Sequence, residues 1–111
     1  MLDRDISEEY KSFIDKYGVI SQDGIEIYGL IENMDENILP SVVAATKLYK
    51  NDYNLNDDEL VICFDDYLNC PIIINKKNHI YNVFFDKREK IADSFNKWFE
   101  DIKKEYELDI N

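Results

Sequence analysis

The chain has 111 residues, of which 45% are hydrophobic and 14% aromatic, and it carries a net charge of −11. This length predicts one domain, residues 1–111, with enough apolar content for an ordinary core, and the negative charge disfavours binding to nucleic acid or anionic membranes. The N-terminus resembles no secretory leader and no apolar run could cross a bilayer, so we predict a cytoplasmic protein.

The first predicted element is an amphipathic helix over residues 8–17. Its apolar residues recur with the spacing of a single helix face: Tyr10, Phe13, Ile14 and Tyr17. Ser7 is a typical N-cap, and Gly18 is well suited to the positive φ that often ends a helix. The sequence therefore predicts a helix with defined ends.

Strands and one more helix follow. A turn at Asp23-Gly24 precedes the alternating residues 25–28, which predict a strand. Pro40 and Ser41 open a second helix that extends to about Lys50.

The next segment predicts a meander. Residues 60–64, 68–74 and 79–85 are strand-like and are separated by turn residues at 65–66 and 76–78. Pro71 interrupts the second strand, so we expect it at a sheet edge or a bulge.

A final helix closes the chain, with Asp93 as its predicted N-cap. Its apolar residues again share one face: Phe95, Trp98, Phe99, Ile102 and Tyr106. Together the elements predict an α+β fold, in which an antiparallel β-meander sheet is covered on one face by the N-terminal, middle and C-terminal helices.

The sequence offers little for catalysis or for binding a cofactor or metal. The single histidine, His79, has no nucleophile or ligand cluster at a suitable spacing. Cys63 and Cys70 lie symmetrically about a predicted turn at 66–67, so a disulfide is geometrically conceivable, but two buried, reduced thiols are the favoured interpretation. We therefore predict a binding protein without a cofactor and not an enzyme.

Two short motifs resemble the SUKH superfamily. The first is Tyr-Lys-x-Phe-Ile-x-x-Tyr-Gly at residues 10–18, and the second is Ile-Ala-Asp-Ser-Phe at 91–95. The resemblance extends over residues 6–102 and implies an immunity protein, or antitoxin, of a bacterial toxin–antitoxin pair. The family usually has one more helix before the first motif, and only five residues precede Ile6 here.

The negative charge is concentrated in the middle of the chain. Residues 17–75 contain eleven acidic residues and two lysines, so this stretch carries −9 of the total charge of −11. An acidic surface attracts basic partners and can occupy the basic substrate cleft of a nucleic-acid-active toxin. The predicted contact residues lie in turns and loops of this stretch: Asp23, Glu26, Asp57, Asp58, Glu59, Asp65, Asp66 and Tyr67.

Other interpretations remain open at this point. The acidity could simply keep the protein soluble. The chain could also be an intracellular interaction scaffold of the same fold with no toxin partner, and a homo-oligomer is possible. The expected partner is a protein toxin with a basic surface, without nucleic acid or membrane.

Overall fold

The structure is a computed structural model that describes residues 6–85 and 87–110. The described part contains three helices and six strands, in the order α1 (Glu8–Tyr17), β1 (Ile20–Gln22), β2 (Ile25–Ile27), α2 (Val42–Lys50), β3 (Leu60–Asp65), β4 (Cys70–Ile74), β5 (Ile80–Phe84), β6 (Lys87–Ala92) and α3 (Phe95–Glu105). The strands form one sheet in sequence order, and each pairs antiparallel with the next. The predicted α+β class and antiparallel meander are therefore confirmed.

Helix α1 has the predicted bounds and caps. The Ser7 hydroxyl accepts a hydrogen bond from the backbone N–H of Tyr10 at 3.1 Å. Gly18 adopts φ 72° and ψ −77°, and the Val19 N–H donates to the Tyr17 carbonyl across it at 2.8 Å. These angles are those of a γ-turn with positive φ, which turns the chain sharply into β1.

Two glycines let α1 approach the end of β2 closely. A Cβ atom on Gly29 would lie 1.8 Å from the carbonyl oxygen of Gly18, so no larger residue fits there. The hydroxyl of Tyr10 donates to the carbonyl oxygen of Tyr28 at 2.7 Å, within the core. These contacts fix the position of α1 on the sheet.

Aromatic side chains join α1 to α3. The Phe13 ring lies 5.3 Å from both the Phe95 and the Phe99 rings, and Tyr10 is also 5.3 Å from Phe95. Trp98 stands beside Phe95 and is only 4% exposed. Each such aromatic removes on the order of 150–250 Å² from water, so this cluster dominates the core on this side of the sheet.

The structure refines the predicted placement of the helices. All five residues of β4 are buried, which requires cover on both faces of the sheet. Cys63 lines a pocket with Trp98 of α3, whereas the ring of its neighbour Phe64 stacks on Tyr49 of α2 at 5.4 Å. Because adjacent strand residues point to opposite faces, α2 packs against the face opposite to α3.

Strand β6 was not predicted. Its sequence, Lys-Arg-Glu-Lys-Ile-Ala, is mostly charged and exposed, since β6 forms one edge of the sheet. Charged residues are common on edge strands because they discourage pairing with other chains. The strand occupies the residues before α3, and the N-cap of that helix is Ser94, not the predicted Asp93. Asp93 instead pairs with Lys90 at 2.6 Å.

The β3–β4 hairpin is offset from the predicted one. Cys70 lies opposite Asp65, and Cys63 lies opposite Ile72, so the two cysteines do not face each other. Both are buried and free. Pro71 is in an interior strand, not at an edge, and it immediately precedes the residues of β4 that pair with β5.

Candidate functional site: an acidic groove

A groove lies between the β1–β2 hairpin and the β3–β4 turn. The register between β2 and β3 is a single pair, Ile27 with Cys63, so the tip of the hairpin is not paired with β3. The space beside it has a volume of about 570 Å³. Carboxylates and aromatic rings dominate its lining: Asp23, Glu26, Asp66, Tyr28, Tyr49, Phe64 and Tyr106. We call this site the acidic groove.

The hairpin turn places Asp23 at the rim of the acidic groove. Asp23 has φ 54° and Gly24 has φ 87°, the two positive values of a two-residue type I′ turn. Asp tolerates this conformation better than most residues, and Gly adopts it freely. The turn leaves the Asp23 side chain exposed.

The two aspartates of the β3–β4 turn have different roles. One carboxylate oxygen of Asp65 accepts hydrogen bonds from the backbone N–H groups of Tyr67 and Leu68 at 2.9 and 3.0 Å. This arrangement holds the turn together. Asp66 remains exposed in the groove lining, and Tyr67 projects with 91% of its surface exposed.

The groove has a negative electrostatic character. Its lining contains no Lys, Arg or His among the residues that the structure describes. Burial is the main reason why the pKa of Tyr28 is raised well above 10.0, and repulsion from nearby groups that include Glu26 and Asp66 adds to it. Burial also raises the pKa of Tyr49, with smaller contributions from Tyr53 and Asp66. The carboxylates therefore help to raise the pKa values of the tyrosines that line the groove.

The predicted residues 57–59 do not line this groove. Asp57 is fully exposed and pairs with Lys50 at 3.0 Å, and Asp58 is half-buried. Glu59 corrects our expectation of an exposed loop carboxylate, because it is only 4% exposed. Its carboxylate accepts from the Arg88 guanidinium at 2.6 and 2.7 Å.

Glu59 therefore has a structural role. It also accepts from the backbone N–H of Asn56 at 2.7 Å, and Arg88 donates to the carbonyl oxygen of Asn54 at 3.1 Å. These hydrogen bonds connect the segment after α2 to β6. Sequence reasoning missed them because Arg88 is 29 residues from Glu59 and lies in the unpredicted strand.

The sequence also did not predict that aromatic side chains from separate elements line one groove. The alternation of Glu26 and Tyr28 was visible and places both side chains on one face of the chain. The partners of Tyr28 were not visible, because Tyr49 comes from α2 and Phe64 from β3. Only the assembled fold brings these rings beside Glu26 and Asp66.

The described residues present no reactive centre that we recognise. Burial raises the pKa of the Cys63 thiol to about 12, so the thiol stays protonated and is a poor nucleophile at neutral pH. Within residues 6–85 and 87–110, no group of three or more His, Cys, Asp or Glu side chains could hold a metal ion. None of the helices in this part of the chain has the length and apolar character needed to cross a bilayer.

Comparison with known proteins identifies the family. The profile of the SUKH_5 family, described as SMI1-KNR4 cell-wall, matches residues 1–104. No curated protein sequence and no solved structure gives a significant match. The family match covers nearly the whole chain and agrees with the two motifs at residues 10–18 and 91–95. The chain therefore belongs to the SUKH_5 family of the SUKH superfamily.

Proposed function

We propose that this protein is an immunity protein, which binds a toxin with a basic surface and blocks it. Membership of the SUKH superfamily fits this role at the level of the family. The toxin in this proposal acts on nucleic acid, because such enzymes need a basic cleft for their substrate. The protein acts by occupying that cleft and carries out no reaction itself.

The acidic groove is the observation that carries this proposal. Asp23, Glu26 and Asp66 line it, and none of the three forms an ion pair with another described residue. Their charge is therefore available to a partner. This differs from Glu59, whose charge is compensated within the fold.

The groove can act in two stages. At a distance, its negative field steers a basic surface towards it and raises the rate of encounter. At contact, the carboxylates pair with the lysine and arginine side chains that would otherwise hold phosphates. Tyr67, exposed beside Asp66, is placed to anchor the complex, since Tyr is enriched among residues that dominate binding energy.

Protection of cells tests the proposal. The candidate toxin is sought in the neighbouring genes as a large protein with a variable C-terminal domain. That domain is expressed alone and together with this protein, and survival is counted. We expect survival only with the wild-type protein present. The groove variant, Asp23→Asn with Glu26→Gln and Asp66→Asn, should lose protection when the toxin is expressed strongly.

A matched control variant distinguishes the loss of the groove carboxylates from a change in net charge alone. Asp15→Asn with Glu32→Gln and Asp52→Asn removes the same three charges from exposed positions outside the groove. This control should protect like the wild type. Failure of the wild-type protein to protect would overturn the immunity role, and equal protection by both variants would overturn the groove as the contact surface.

A further inference from the structure

A second, smaller pocket lies beneath α3, on the face of the sheet that this helix covers. Its volume is about 150 Å³. Trp98 and Ile102 of α3 form one wall, and Cys63, Ile72 and Asn82 of the central strands form the other. A space of this size holds a ring as large as benzene or the end of one long side chain.

Two of the residues that line this pocket each have a buried polar atom without a hydrogen-bond partner among the described residues. These atoms are the side-chain oxygen of Asn82 and the indole nitrogen of Trp98. Each residue is only 4% exposed. Most buried polar groups are paired, because leaving one unpaired costs roughly 1–3 kcal/mol. The unpaired Asn82 oxygen is an acceptor, so a ligand that offers a hydrogen-bond donor would satisfy it.

The rim of the pocket is negative. Asp65, Asp101 and Glu105 belong to its lining, and no Lys, Arg or His among the described residues does. Asp101 pairs with Lys97 at 3.2 Å, but both side chains are largely exposed, so that pair is weak. The charge of the rim favours a cation as the ligand.

The pocket adjoins the acidic groove. Ile25, Phe64 and Tyr106 line both spaces. A partner held over the groove would therefore lie next to this pocket. The three shared residues place the pocket beside the surface proposed for the toxin.

We propose that this pocket receives an arginine residue of a basic protein partner. The guanidinium group donates to the Asn82 oxygen and faces the acidic rim, and its methylene stem packs on Ile72 and Ile102. Arginine fits because it joins several donors to an apolar stem and is weakly hydrated for a cation. The identity of the partner as a toxin rests on the proposed function, but the chemistry of the pocket does not.

A small arginine derivative tests the pocket without any toxin. N-acetyl-L-arginine amide carries the guanidinium group, the stem and two carbonyls. Trp98 is the single tryptophan of the chain, so its indole N–H gives one resolved signal in a 15N-correlated NMR spectrum. We expect that signal to shift and saturate in the millimolar range, together with the backbone amides around Asn82.

Two comparison compounds separate charge from size. N-acetyl-L-citrulline amide keeps the shape but has no charge, and it should bind at least fivefold more weakly. N-acetyl-L-norleucine amide keeps only the apolar stem and should cause no saturating shift. Equal binding of arginine and norleucine derivatives would overturn the proposal, because the site would then be a simple apolar pocket.

Variants test the two sides of the pocket. Asn82→Leu removes the acceptor and should reduce arginine binding at least tenfold, while the melting temperature stays equal or rises because an unpaired buried group is gone. Asp101→Asn with Glu105→Gln changes exposed positions only and should weaken binding at least threefold at low salt. Asn96→Ala, on the exposed side of α3, is the matched control and should bind like the wild type.

The outcomes distinguish this inference from the immunity role. An indole signal that does not move at 50-fold excess over the protein, or binding unchanged in Asn82→Leu, overturns the arginine pocket whatever the cell assay shows. Saturable binding in the wild type that is lost in Asn82→Leu supports the pocket, even if the protein gives no protection in cells. In that case the proposal of a toxin partner is wrong, and the proposal that the pocket binds arginine still stands.

Discussion

Two regions of the molecule use acidic residues in opposite ways. Beside β6, the carboxylate of Glu59 is buried and held by Arg88 in a two-point ion pair. In the acidic groove, Asp23 and Asp66 are exposed and Glu26 is half-buried, with no ion pair to a described residue. The comparison teaches that net charge alone does not identify a binding surface, because some carboxylates are part of the fold.

The largest expected effect concerns the buried pair. Arg88→Met removes the positive charge that compensates the buried Glu59 carboxylate, so we expect a loss of about 3–5 kcal/mol in the free energy of unfolding. A urea titration measures it. Arg88→Met combined with Glu59→Gln should recover a large part of the loss. A loss below about 1 kcal/mol in the single variant would show that Glu59 is not a structural carboxylate.

Tyr67 should affect binding and not stability. Its side chain is 91% exposed in the free protein, so Tyr67→Ala should leave the urea midpoint unchanged. As an anchor for the partner, it should contribute about 2 kcal/mol to binding, which calorimetry with the toxin domain measures. Unchanged affinity would confine the contact surface to the groove itself.

Buried tyrosines should make the protein sensitive to alkali. Burial raises the pKa of both Tyr10 and Tyr28 above the ordinary value of 10.0. Above about pH 10 the unfolded chain releases these protons while the native protein keeps them, so stability falls as the pH rises. Urea midpoints between pH 8 and 11 should be constant up to about pH 9 and then decrease. A midpoint that stays flat to pH 11 would contradict the burial of these hydroxyl groups.

The smallest expected effect is on the stability of the groove variant. Neutralising Asp23, Glu26 and Asp66 should change the free energy of unfolding by no more than about 0.5 kcal/mol, because these side chains form no ion pair with a described residue. Urea titrations of the groove variant and of the wild type at neutral pH measure this change, and a loss above about 1 kcal/mol would show that these carboxylates support the fold.

Local signals in the sequence predicted most of the fold. Ser7 and Gly18 mark the ends of α1, and Asp23-Gly24 gives the first hairpin, because caps and turns depend on a few neighbouring residues. Strand β6 was missed because an edge strand needs no apolar alternation. The sequence also gave no sign that α2 would cover the opposite face of the sheet, which depends on packing at long range.

The candidate site was predictable only in part. Asp23, Glu26 and Asp66 were expected at a contact surface, and the structure brings these three together in one groove. Their use by a partner remains a prediction. The separation of Glu59 from this group depends on Arg88, and the pocket of Asn82 and Trp98 depends on α3 lying over β5. Such pairs are distant in sequence and become visible only in the folded chain.

The central claim is that the acidic groove receives a basic partner. The most direct measurement is the association rate constant with the toxin domain that the cell assay identifies, as a function of salt, by stopped-flow fluorescence. We predict a steep decrease with salt for the wild type and for the Asp15, Glu32 and Asp52 control. The groove variant should associate at least tenfold more slowly at low salt, with a much weaker salt dependence. Identical rates and salt dependence for the groove and control variants would contradict the claim.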